Sequence, residues 1–86
     1  MTEEQRPVKV NILGKEYPIA CSQDEQHDLL VAARDLDSRM RKIRDSGRVI
    51  GTERIAVLAA LNLAYELQIA QTELHLLRQR QAQTGE

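Results

Sequence analysis

The chain has 86 residues, with 42% hydrophobic residues but only two aromatics, Tyr17 and Tyr65, and neither Phe nor Trp. Twelve Lys+Arg stand against 13 Asp+Glu for a net charge of −1, so no global basic excess favours a nucleic-acid coat or a membrane surface. The single Cys21 excludes an intrachain disulfide, and His27 and His75 beside it give no zinc-ligand spacing. At this length one domain, or one small domain with an extension, is expected. The N-terminal residues 1–6 contain no apolar core of a signal peptide. The longest unbroken apolar run, 55–61, is seven residues, far below the ~20 that cross a bilayer. The expectation is a cytoplasmic protein without a membrane span, cofactor or metal.

Residues 1–7 are polar and end at Pro7, which predicts a disordered lead-in. Residues 8–12 then alternate apolar and polar, the period of a half-buried strand. Gly14 follows where a hairpin turn needs a positive φ. Tyr17, Ile19 and Cys21 share one face of a returning strand, and Pro18, lacking a donor, marks that strand as an edge. A two-stranded hairpin is marginal by itself. It must pack on helices, pair with a second chain, or do both.

Ser22 and Glu25 have the spacing of a capping box and predict a helix over about 23–46. Leu29, Ala33, Leu36, Met40 and Ile43 form its apolar stripe, broadened by Leu30 and Ala32. Its charges are sorted along its length. Residues 22–37 hold Asp24, Glu25, Asp28, Asp35 and Asp37 against Arg34, a net −4, and residues 38–48 hold Arg39, Arg41, Lys42, Arg44 and Arg48 against Asp45, a net +4. The helix dipole itself favours acid first and base last. Gly47 suits the left-handed stop that ends this helix.

After a short link, Thr52 is expected to cap a second helix with Glu53 in its first turn. No Gly or Pro interrupts residues 52–83, so this helix spans ~48 Å. A compact globule of this size is only roughly 30 Å across, so the helix must leave the globular part. Two apolar rows run along it. One is Ile55, Leu58, Asn62, Tyr65, Ile69, Thr72 and Leu76, and the other is Ala60, Leu63, Leu67, Ala70, Leu74 and Leu77. A hairpin and one helix cover a single row near 55–67. Each apolar side chain left in water forfeits about 1.5–3 kcal/mol, so a second copy of the chain is expected on Leu63, Leu67, Ile69, Ala70, Leu74, Leu76 and Leu77, as a coiled-coil seam. Two roles fit Asn62: a buried polar residue that fixes register, or a side chain bonded to a nearby backbone carbonyl. The charges flanking the seam are too few to choose between parallel and antiparallel chains.

The segments 10–17, 32–40 and above all 51–67, with the sequences VNILGKEY, AARDLDSRM and GTERIAVLAALNLAYEL, resemble the ZapA family of bacterial cell-division proteins. The match covers roughly residues 8–67, and it is the order and spacing of the segments that carries it. The resemblance implies an α+β, mainly α chain. Residues 8–51 form a small head of β-hairpin plus first helix, and residues 52–86 form a long helix that begins in the head and ends in an oligomeric coiled coil. It also implies a homodimer, and a homotetramer by joining of dimers, that binds filaments of the tubulin-like FtsZ. Such an oligomer cross-links and bundles the protofilaments and stabilises the Z-ring at midcell. By position it carries FtsZ contact over to Lys15, Arg44, Arg48 and Glu53. The sequence ends after a polar stretch, 79–86, which bears on the tetramer more than on the dimer.

Within the basic run Arg39–Arg48, Arg41 and Lys42 join Arg44 and Arg48 as candidate contacts to an acidic filament. The same run is also what solvated charges at a helix C-terminus look like. Nucleic acid is the rival partner, opposed by the near-neutral charge and the lack of stacking aromatics. An enzyme is disfavoured. Ser22 and Ser46 are a cap and a helix stop, His27 and His75 are surface positions on helices, and Cys21 is a small buried hydrophobe. Glu53 and Arg54 lack the bulk of a pocket around them, and Gly14 and Gly51 are isolated. A coiled-coil adaptor with some other partner shares every compositional feature, and only the family resemblance separates it from the FtsZ reading.

Overall fold

The computed structural model describes residues 5–84. A hairpin of strands β1 (Gln5–Ile12) and β2 (Lys15–Ser22) is followed by one 3-10 turn (Gln23–Glu25), helix α1 (Gln26–Asp45) and helix α2 (Thr52–Thr84). The chain is mainly α with an N-terminal hairpin, as the patterning predicts. β1 begins before Val8, so Gln5, Arg6 and Pro7 pair with Ser22, Cys21 and Ala20 rather than forming part of a lead-in. The rest of that expected lead-in, residues 1–4, lies outside the described residues.

The register pairs Ile12 with Lys15, Val10 with Tyr17 and Val8 with Ile19, which leaves Leu13–Gly14 as a two-residue turn. Both turn residues have positive φ, 50° for Leu13 and 78° for Gly14, the combination that matches strand twist in tight hairpins. Glycine takes this freely, whereas a leucine in that region is strained by about 1–3 kcal/mol. Each strand carries a proline, Pro7 and Pro18, so neither edge offers an unbroken row of donors to a further strand.

The helix ends differ from their expected form in two places. The Ser22 hydroxyl, 2% exposed, donates to Glu25 Oε1 at 2.7 Å instead of accepting a backbone N–H, because the first turn is wound as a 3-10 turn. Ile55 N–H donates to Gly51 O at 3.1 Å, so Gly51, at φ 102°, supplies the first helical acceptor and Thr52 sits one position inside the helix. The end of α1 is as anticipated: Gly47 takes φ 71° and its N–H donates to Arg44 O at 3.1 Å.

The core is small. Met40, Ile55 and Ala59 are buried together, with Ile12, Leu13, Leu36, Ile43, Val49 and Ala56 packed around them. Thus β1, α1 and the first turns of α2 meet at one corner. Ala59 is 0% exposed, and its small methyl side chain is what allows Met40 to close on α2. The row of α2 that docks is therefore Ile55–Ala59, with Leu63 half-buried beyond it, while Leu58, Asn62 and Tyr65 are exposed. From that corner α2 runs outward. The radius of gyration is 17.6 Å and the extents are 53 × 46 × 14 Å, against about 12 Å for a compact chain of this length. The thin dimension leaves the molecule without a second layer.

Candidate functional site

Lys15 opens β2 directly after the turn, on the sheet face of Ile12 and Tyr17. That face turns towards α1, since Val10 is buried and Ile12 packs on the core. Leu13 N–H donates to Asp37 Oδ1 at 2.7 Å, which brings the hairpin tip against the middle of α1. One turn further on, Arg41 Nε donates to Asp37 Oδ2 at 2.8 Å. The Leu13 N–H and the Arg41 guanidinium together hold the Asp37 carboxyl below its ordinary value, in that order of importance.

The side chains of the basic run differ in their partners. Arg39 donates through both terminal nitrogens to Glu66 of α2, at 2.5 and 2.8 Å, and through Nε to Asp35 at 3.0 Å. This bidentate pair ties α1 to α2. It pushes the Arg39 guanidinium further up and the Glu66 carboxyl below its ordinary value, so Arg39 serves the contact between α1 and α2. Arg44 Nε donates to its neighbour Asp45 at 3.1 Å. Among the described residues Lys15, Lys42 and Arg48 enter no ion pair. Arg41 and Arg44, three residues apart, share one face of α1, and Lys42 lies on the next. Arg48 and Glu53 line a separate shallow groove where the loop meets α2, together with Ile50, Arg54, Val57 and Leu58. Ile50 is 85% exposed there. Arg54, set aside with Glu53 in the sequence for lack of surrounding bulk, also lines this groove.

The apolar residues of α2, the expected seam residues Leu63, Leu67, Ile69, Ala70, Leu74, Leu76 and Leu77 among them, lie on two sides of the helix. Leu63, Leu67, Ala70, Leu74 and Leu77 continue the line of Ile55 and Ala59 past the end of the head. Leu58, Leu61, Tyr65, Ile69 and Leu76 lie on the roughly opposite side. Except for half-buried Leu63, all of these are exposed in the single chain, Leu61 to 62% and Leu74 to 47%. The side chain of Asn62 is exposed and makes no hydrogen bond among the described residues, so the backbone-bonded role is absent here. Its register role depends on a partner helix.

Cys21 is buried and its Sγ donates to Ser22 O at 3.0 Å. Among the described residues no group of His, Cys, Asp and Glu is placed to hold a metal ion, and no helix is long and apolar enough to cross a membrane. What the arrangement offers chemically is charge and apolar surface.

Comparison with known proteins agrees with this geometry. The family model described as "Cell division protein ZapA" matches residues 8–85. A cell division protein ZapA of Pseudomonas aeruginosa is 52% identical over 64 residues, which are 74% of this chain and 62% of that protein. The matched region thus spans less than two thirds of the curated relative's length. Among solved structures, a conserved bacterial protein of unknown function from Pseudomonas aeruginosa superposes with a TM-score of 0.73 at 48% identity, over 83% of this chain and 78% of the other. A mutant dimer of ZapA from Geobacillus stearothermophilus superposes with a TM-score of 0.72 at 27% identity, over 93% of both chains.

Proposed function

This chain belongs to the ZapA family of cell division proteins, a structural family rather than an enzymatic one, and on that premise we propose that it binds FtsZ filaments at midcell, cross-links and bundles them, and so stabilises the Z-ring. The observation that carries the reading is the division of labour along α2. Its first turns are closed into a head in which Lys15, Lys42 and Arg48 enter no ion pair among the described residues, while its outer half leaves apolar residues uncovered on two sides. The uncovered side chains favour association with a second copy, and the solved ZapA dimer of the same fold supports it. In this reading residues 8–51 are the gripping head, and the helix beyond Leu63 is the coil that joins copies as a dimer and, through its second row, a tetramer.

An oligomer with a charged head at each end is bivalent. Effective concentration then turns weak single contacts into avid cross-linking without new chemistry. Contact to the acidic filament is assigned to Lys15, Arg41, Lys42, Arg44, Arg48 and Glu53. Exposed charges are screened over ~8–10 Å at physiological ionic strength, so bundling should weaken steeply as salt is raised.

The test is co-sedimentation with polymerised FtsZ across a salt series. Wild-type chain should pellet with the filaments, and Arg48→Glu and Arg44→Glu should not, although both keep the wild-type oligomer. Failure of the wild type to pellet would leave the adaptor with another partner as the reading. Pelleting that ignores ionic strength would remove the electrostatic grip.

A further inference from the structure

One carboxylate joins the hairpin to α1. Asp37 accepts the Leu13 N–H on Oδ1 at 2.7 Å and Arg41 Nε on Oδ2 at 2.8 Å. In a two-residue turn the N–H of the first turn residue has no partner within the ribbon, so without Asp37 this donor would depend on water. The choice of residue at the turn makes the contact more pointed. Leu13 sits at φ 50°, where Asn, Asp or Gly would be relaxed. The strained leucine instead places a half-buried side chain against the Met40, Ile55 and Ala59 cluster. The tip is thus held twice, by its side chain in the core and by its main chain on Asp37. Lys15 follows two residues later, and Arg41 is fixed by the other oxygen of the same carboxylate.

We infer that Asp37 is a positioning residue of the head: by bridging the Leu13 N–H to Arg41, it locks the hairpin tip onto α1 and fixes Lys15 for contact with an acidic protein surface. The bridge itself is independent of any partner, and its use in gripping rests on the filament reading above. A carboxylate that only stabilised the fold would weaken binding whether or not Lys15 were present. Asp37 acts through Lys15, so its effect should disappear once Lys15 is removed.

The experiment uses the full chain as wild type, Asp37→Ala, Asp37→Asn, Lys15→Ala and the Asp37→Ala/Lys15→Ala double variant. Two quantities are read: amide hydrogen exchange at Leu13 and Lys15 by NMR, and co-sedimentation with polymerised FtsZ. Asp37→Ala should speed exchange at Leu13 by about five- to tenfold, the loss of one hydrogen bond. Asp37→Asn, whose amide oxygen still accepts the Leu13 N–H while its NH2 group can no longer accept from Arg41, should keep exchange at Leu13 near the wild type. Filament affinity should fall about fivefold in Asp37→Ala, and the double variant should bind no more weakly than Lys15→Ala alone. Unchanged exchange at Leu13 in Asp37→Ala overturns the bridge. Additive losses in the double variant overturn the action through Lys15. A wild type that leaves FtsZ filaments in the supernatant removes the filament reading and the gripping role with it, while the bridge still stands or falls on exchange alone.

Discussion

The two halves of α2 contain the same kinds of residue and meet different surroundings. In the first three turns, Ile55 and Ala59 step by four along one line, and that line is buried against Met40. In the outer half, leucines step by three and four along the continuation of the line, and a second row runs on the far side. None of these outer residues is buried. The difference lies in what the rest of the chain has left to offer. One hairpin and one 20-residue helix suffice to cover a single helix face near its start, and they end before the helix does. A long helix with apolar rows on both sides is an incomplete object, completed by other helices.

The contrast is sharpened most by charging the outer half. Leu74→Glu or Ile69→Glu should dissociate the oligomer, because each copy loses the burial of one side chain, about 3–6 kcal/mol per symmetric pair. Sedimentation velocity would read this as a shift to monomer. Met40→Ala attacks the inner half instead and should cost about 2–5 kcal/mol in chemical denaturation. A finer cut compares two alanines. Ala59→Leu must overpack a closed contact and should cost about 1–3 kcal/mol, whereas Ala64→Leu on the exposed surface should change the denaturation midpoint hardly at all. Equal effects at Ala59 and Ala64 would break the distinction between the halves.

The smallest expected effect concerns the joint between them. Arg39 holds the Glu66 carboxyl below its ordinary value of 4.5, so the pair contributes fully above that pH and is lost as pH falls through the lowered folded value. The groups are exposed and the contribution is modest. Wild type and Glu66→Gln should differ by a constant small amount near neutral pH, and their thermal midpoints should converge below about pH 4.5. Divergence on acidification would show that the pair is not what holds α1 to α2.

Much of this fold is written locally in the sequence. The alternation at 8–12, the turn at Gly14, the stop at Gly47 and the uninterrupted length of α2 each depend on residues close together in the chain, and each appears in the structure. The docked face of α2 does not read this way. A search for large hydrophobes selects Leu58 and Tyr65, whereas close packing selects Ala59, whose value is that it is small. The charges follow the same rule. That Arg39 and Arg41 belong to a basic run is plain, and so are their i, i+4 partners Asp35 and Asp37. That Arg39 is consumed by Glu66 and Asp37 by Leu13 depends on contacts across 27 and 24 residues, for which spacing gives no signal. Hence, among the described residues, the candidate contacts Lys15, Lys42 and Arg48 are told from the ion-paired Arg41 and Arg44 only once those pairs are seen.

Sedimentation equilibrium of the purified chain at low micromolar concentration tests most directly whether the outer half of α2 is completed by further copies. A mass that is a whole multiple of the 9.8 kDa chain, two or more, is the expected result. A single stable species of 9.8 kDa would contradict it.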